Sequence, residues 1–123
     1  MNVLGIDIGG SGVKGAIVDI KSGELLSEKI RFPTPNKPTP KKIFDGIKSN
    51  ILDELKWDGN VGCGFPGVVK KNKIYSAANI EKKWIGLNLK KKFHKKFNLR
   101  CKAINDAAVS YTHLRAHETS NHL

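Results

Sequence analysis

The chain has 123 residues, 39% of them hydrophobic, and carries a formal charge of +11 from 22 basic and 11 acidic side chains. That length supports one domain with one modest core. No apolar run is long enough to span a membrane and no basic stretch leads into an apolar one at the start, so neither a membrane anchor nor a secretory leader is expected, and the expected location is cytoplasmic. The charge raises the question of a polyanionic partner. Yet 19 of the 22 basic residues are lysine and only three are arginine, the side chain that most often reads bases, so nucleic acid is not the expected partner.

In chain order, "NVLGIDI" alternates apolar residues and ends in Gly-Gly, which predicts a strand feeding a tight loop. "VKGAIVDI" predicts a second strand, "KSGE" a turn and "ELLSEKIRF" a third strand, the three forming an antiparallel meander. "PTPNKPTP" holds four prolines in eight residues and predicts an extended loop. "KKIFDGIKSNILDELK" places Ile43, Ile47, Ile51, Leu52 and Leu55 at helical spacing, with Gly46 as a weak point. "NVGCGF" predicts a short buried strand closed by Pro-Gly, and "VVKKNKIYSA" a hairpin turning at Lys71-Asn72. "LNLKKKFHKKFN" repeats Leu89, Phe93 and Phe97 every four residues, a helix with one apolar and one basic face. "LRCKAI" predicts a last strand. Three antiparallel strands leading into strand–helix units with parallel pairing imply a mixed α/β sheet.

Four segments can carry chemistry. In "DIGGSGVKG", Gly9, Gly10 and Gly12 let backbone N–H groups approach a ligand, Ser11 adds a hydroxyl and Lys14 a positive charge. Asp7, at a strand end, could hold Mg²⁺ through water. The same residues also describe a plain glycine hairpin turn. In "GFPGVV" and "SAANIEKKW", Asn79 is either a sugar-hydroxyl partner or a turn residue, and Trp84 either a ligand platform or core. In "AINDA", Asn105 and Asp106 follow a strand end, the place where open α/β sheets bind ligands, so Asp106 is either a general base or a helix cap. The lysines of "KKKFHKK" form either a solvated helix face or a track for a polyanion. Cys63 and Cys101 lie in separate apolar runs with no Cys-x-x-Cys pair, which reads as two buried free thiols.

Together and in order, "LGIDIGGSGVKGAIVD", "GFPGVV", "AANIEKKW" and "AINDA" resemble the ROK family of sugar kinases, over about residues 2–107. Within it, "GGSGVKGA", "TPNKPTP" and "FPGVV" with "AANI" are most similar to the glucokinase branch that uses inorganic polyphosphate. The resemblance implies the actin-like, ribonuclease-H-like ATPase fold and phosphoryl transfer from polyphosphate or ATP, with Mg²⁺, to the 6-hydroxyl of glucose. It implies Asp106 as the catalytic base and Asn105, Asp106, Asn79 and Gly67 at the sugar. It implies Gly9, Gly10, Ser11, Gly12 and Lys14 on the donor phosphates and Asp7 near the metal. Lys90, Lys91, Lys92, Lys95 and Lys96 become a possible polyphosphate track. Other ROK sugar kinases, for fructose or N-acetylmannosamine, share the pattern. So do ROK regulators of transcription, but those carry a DNA-binding domain ahead of the first strand, which here begins at Asn2.

The pattern departs after Ala107. Nothing further on resembles a second phosphate loop, and the resemblance implies a second domain of similar size in a longer parent protein that forms a homodimer. From Ala103 onward there is no lysine, while three of the four histidines fall there. Residues 1–108 therefore read as a truncated ROK domain, inactive on its own, and 109–123 as a non-native tail.

Overall fold

The structure is a computed structural model that describes residues 2–77 and 80–103. Two sheets and a layer of helices form it. The main sheet contains β1 (Asn2–Ile8), β2 (Gly12–Asp19), β3 (Ile30–Pro33), β4 (Val61–Gly64) and, after a small β5 (Val69–Lys70) and β6 (Lys73–Ile74) hairpin, β7 (Cys101–Ala103). Its strand order is β3-β2-β1-β4-β7. The pairs β1–β2 and β2–β3 are antiparallel, whereas β1–β4 and β4–β7 are parallel. This is the expected meander running into parallel strand–helix units.

Alternation along the strands sorts the residues. Leu4, Ile6 and Ile8 of β1, Val13 of β2, Phe32 of β3 and Cys63 of β4 point into a core shared with Phe44 and Ile47 of α1 (Pro40–Ile47) and Leu89 and Phe93 of α2 (Leu89–Phe97). Both helices are capped by side chains. Thr39 accepts from the Lys42 N–H, and Asn88 from the Lys91 N–H. Trp84 is fully buried, stacked on Phe44 at 5.8 Å and tilted against Phe65 at 5.0 Å, and its indole N–H donates to the Pro38 carbonyl at 2.7 Å. Trp84 is therefore core, and it fastens the proline-rich loop to the body of the fold. A ligand platform is ruled out for it.

Two expected elements differ. The third strand does not run over 24–32. The Ser27 hydroxyl, and not a backbone carbonyl, accepts the Ile17 N–H, so the ladder breaks there and the strand resumes only at Ile30. The long helix over 41–56 begins at Pro40 and passes into a wider, π-type turn at Lys48–Leu52. Ser49 and Asn50 side chains donate to the Asp45 and Gly46 carbonyls, competing with the regular helix ladder. Gly46 has its own reason: a Cβ there would lie 2.6 Å from the Phe32 ring. The hairpin turns at Lys71-Asn72 as expected, both residues with positive φ (51° and 67°).

Candidate active site

The three parallel strands β1, β4 and β7 are neighbours, so their carboxyl ends, at Ile8, Gly64 and Ala103, lie along one edge of the sheet. From that edge depart the glycine loop and the Phe65-Pro66-Gly67 turn, and the described part of β7 ends there two residues before Asn105 in the sequence. Asn105, Asp106 and Asn79 themselves lie outside the described residues.

The glycine loop is a tight closure of the β1–β2 hairpin. The Gly9 N–H donates to the Gly12 carbonyl at 3.0 Å. A Cβ on Gly9 would sit 2.9 Å from that same oxygen, so glycine is required for the closure itself. Thr34, just beyond β3, straps the loop: its hydroxyl donates to the Gly9 carbonyl at 2.7 Å. Gly10 and Ser11 at the tip are exposed.

Asp7 stands opposite Lys14 on β2 and opposite Gly64 on β4, on the sheet face away from the helices. Burial pushes its carboxyl up to about 6, against the opposing pull of the Lys14 ammonium. Among the described residues no group of three or more His, Cys, Asp or Glu side chains could cage a metal. A single half-buried carboxylate fits Mg²⁺ held through its water shell, which is how that ion is commonly bound; it does not fit a directly coordinated ion with an all-protein cage.

Gly67 has a steric role. A Cβ there would lie 1.9 Å from the Ser76 carbonyl oxygen. The missing side chain lets Ser76 and Ala77 pack onto the turn after β4, where the Ser76 hydroxyl accepts the Val68 N–H at 2.9 Å. Asn72 links the hairpin to β7: its side-chain carbonyl accepts from the Ala103 N–H at 2.8 Å, and its backbone carbonyl from the Leu89 N–H at 2.8 Å.

The basic helix face is divided. Lys96 pairs with Asp45 at 2.8 Å, an aspartate also held by Lys41, and the two lysines bring that carboxyl down to about 2. Lys92 lies 6.0 Å from the Phe44 ring centre. These two are tied to α1. Lys90, Lys91 and Lys95 are exposed. Cys63 and Cys101 are buried free thiols, as read. The neighbouring Cys101 thiol, followed by burial, holds the Cys63 thiol above its ordinary range, so it stays protonated and unreactive.

Sequence reasoning missed Thr34, Asn72 and Arg31. Thr34 was hidden in a proline run, and Asn72 read only as a turn residue. Arg31 lies in a strand whose register decides its neighbours, and no local pattern marks it.

The ROK family model matches residues 3–122. A polyphosphate glucokinase of Mycobacterium tuberculosis (strain ATCC 25177 / H37Ra) is 41% identical over 85 residues, which is 69% of this chain and 32% of that protein. The crystal structure of an inorganic polyphosphate/ATP-glucomannokinase from Arthrobacter sp. strain KM superposes with a TM-score of 0.77 at 35% identity, covering 85% of this chain and 44% of that one. A ROK family glucokinase from Streptomyces griseus, solved with glucose and AMPPNP, gives a TM-score of 0.72 at 30% identity, covering 86% of this chain and 33% of that one. The chain thus spans about a third of the length of the curated relative it matches. The sheet topology is that of the actin-like ATPase fold these kinases share.

Proposed function

The chain belongs to the ROK family, and from that premise we propose that it is the amino-terminal part of a kinase that moves a phosphoryl group from polyphosphate or ATP to the 6-hydroxyl of glucose. One observation carries the reading. The glycine loop and the Phe65-Pro66-Gly67 turn leave the carboxyl ends of β1 and β4, beside the end of the parallel strand β7, at the edge where sheets of this class bind ligands. The resemblance of the sequence to polyphosphate glucokinases adds to it.

In this reading the exposed Gly10 and Ser11 N–H groups at the tip of the Gly9–Gly12 loop, which the Gly9 N–H closes on the Gly12 carbonyl, and the Lys14 ammonium hold donor phosphates. Asn105 and Asn79 orient the sugar, and Asp106 accepts the proton of the 6-hydroxyl as its oxygen attacks the terminal phosphorus in line. Gly67 serves the sugar side by letting the Ser76 segment approach β4. Mg²⁺, held through water near Asp7, would neutralise phosphate charge. Positioning and charge neutralisation supply most of the rate. The parent is proposed to act in the cytoplasm as a homodimer, and residues 1–108 without a second domain are proposed to be inactive. Residues 109–123 are proposed to be foreign to the parent; because the family match runs to residue 122, the nucleotide sequence of the parent gene decides this.

The test is phosphoryl transfer by the full-length protein, with ATP and polyphosphate as donors and a panel of glucose, fructose and N-acetylmannosamine as acceptors. Glucose should be preferred and both donors used. Preference for another sugar would move the protein to a different branch of the family. Absence of transfer to any sugar would refute the reading.

A further inference from the structure

The Arg31 side chain lies beside the glycine loop. Pairing places Asp7 of β1, Lys14 of β2 and Arg31 of β3 in one row across the sheet. The residues between them in sequence, such as Ile8, Val13 and Phe32, point into the helix-side core, so the row lies on the other face. From β3 the Arg31 side chain runs forward along that face. A Cβ on Gly12 would lie 2.9 Å from Arg31 Nε and 3.2 Å from Nη2. Gly12, the last residue of the loop, thus leaves the space its side chain would fill to the guanidinium. The Gly12 carbonyl is the one that closes the loop with Gly9, and Thr34, three residues after Arg31, straps the same loop. The guanidinium is consequently held beside a loop that these two hydrogen bonds close. Arg31 is exposed, and its guanidinium is engaged by no hydrogen bond or ion pair among the described residues.

We propose that Arg31 contacts the phosphoryl donor, taking a second phosphate of a phosphoanhydride chain beside the one held by the glycine loop and Lys14. A planar guanidinium matches two oxygens of one phosphate, and two fixed cations in one row suit a ligand with several phosphates in sequence. The assignment rests on the kinase reading above and adds to it a residue that recognises the chain-like character of the donor, common to ATP and polyphosphate.

The experiment compares the full-length protein with Arg31→Gln and Arg31→Lys. Calorimetry with inorganic tripolyphosphate and, separately, with ATP reads donor binding without turnover. Steady-state kinetics reads the donor and glucose KM values. Arg31→Gln should weaken tripolyphosphate binding and raise the donor KM about tenfold or more, with the glucose KM and the melting temperature unchanged, and Arg31→Lys should recover part of the loss. A larger loss with tripolyphosphate than with ATP would assign the contact to polyphosphate use, and equal losses to both donors. Unchanged binding of both donors in Arg31→Gln would overturn the proposal. So would a parallel rise of both KM values with a lowered melting temperature, since that is the mark of a side chain that only packs over Gly12. A wild-type protein that binds tripolyphosphate but phosphorylates no sugar would refute the kinase reading while leaving the Arg31 contact measurable by calorimetry.

Discussion

The side-chain carbonyl of Asn72 accepts the backbone N–H of Ala103 across 31 residues of sequence, at 2.8 Å. Ala103 is buried at the end of β7, two residues before Asn105, so a hairpin tip fixes the strand that leads to the proposed base. Asn72→Gly keeps a backbone that tolerates φ of 67° but removes the acceptor. It should cost about 1 to 2 kcal/mol and speed exchange of the Ala103 amide roughly tenfold. Asn72→Asp should restore protection. Unchanged exchange in Asn72→Gly would show that the bond contributes nothing.

Gly67 and Gly86 separate steric from conformational demands. Gly67→Ala forces a Cβ into the Ser76 backbone and should cost about 3 kcal/mol in urea unfolding. Gly86 has φ of 91° and open space around its Cβ position, so Gly86→Ala should cost only about 1 kcal/mol, from backbone strain. Equal costs would contradict the crowding at Gly67.

Asp7 predicts a pH dependence of unusual sign. Its folded value of about 6 lies above the ordinary 3.8, so between these values the folded chain holds a proton that the unfolded chain has released. The Asp7 contribution to stability is then fullest below pH 3.8 and is lost as the pH rises through 6. Water still reaches the group, so the screened loss is about 1 to 2 kcal/mol. Asp7→Asn should remove this slope and be the more stable form at pH 8, and a carboxyl titration by NMR should have its midpoint near 6. A midpoint near 4 would contradict the buried setting.

The exposed lysines of α2 can be tested apart from the anchored ones. Replacing Lys90, Lys91 and Lys95 by Gln should raise the KM for polyphosphate several-fold and flatten its salt dependence, while sparing ATP. Lys96→Gln should act chiefly on stability, through the loss of its pairing with Asp45. Equal effects of the triple change on both donors would sink the track.

Much of this was legible in the sequence because it was periodic. Alternation in "NVLGIDI" and the four-residue repeat of Leu89, Phe93 and Phe97 specified strand, helix and buried face correctly. What the sequence did not disclose depends on contacts between distant segments. Ser27 replaces a ladder carbonyl, Gly46 admits Phe32, and Gly12 admits Arg31, and each needs the register of two strands or a helix–sheet contact to be seen. Trp84 read more readily as core than as a ligand platform, and its hydrogen bond to Pro38 and its ring neighbours place it in the core. Asp7, the Gly9–Gly12 loop and Lys14 lie together at the β1–β2 hairpin, while Asn79, Asn105 and Asp106 fall outside the described residues.

The most direct test of the kinase reading is glucose phosphorylation by the full-length protein and its Asp106→Asn variant, with glucose binding measured in both. The account predicts that wild type forms glucose 6-phosphate from ATP or polyphosphate, and that Asp106→Asn still binds glucose but turns over about 10² to 10⁴ times more slowly. Turnover retained in Asp106→Asn would contradict the account.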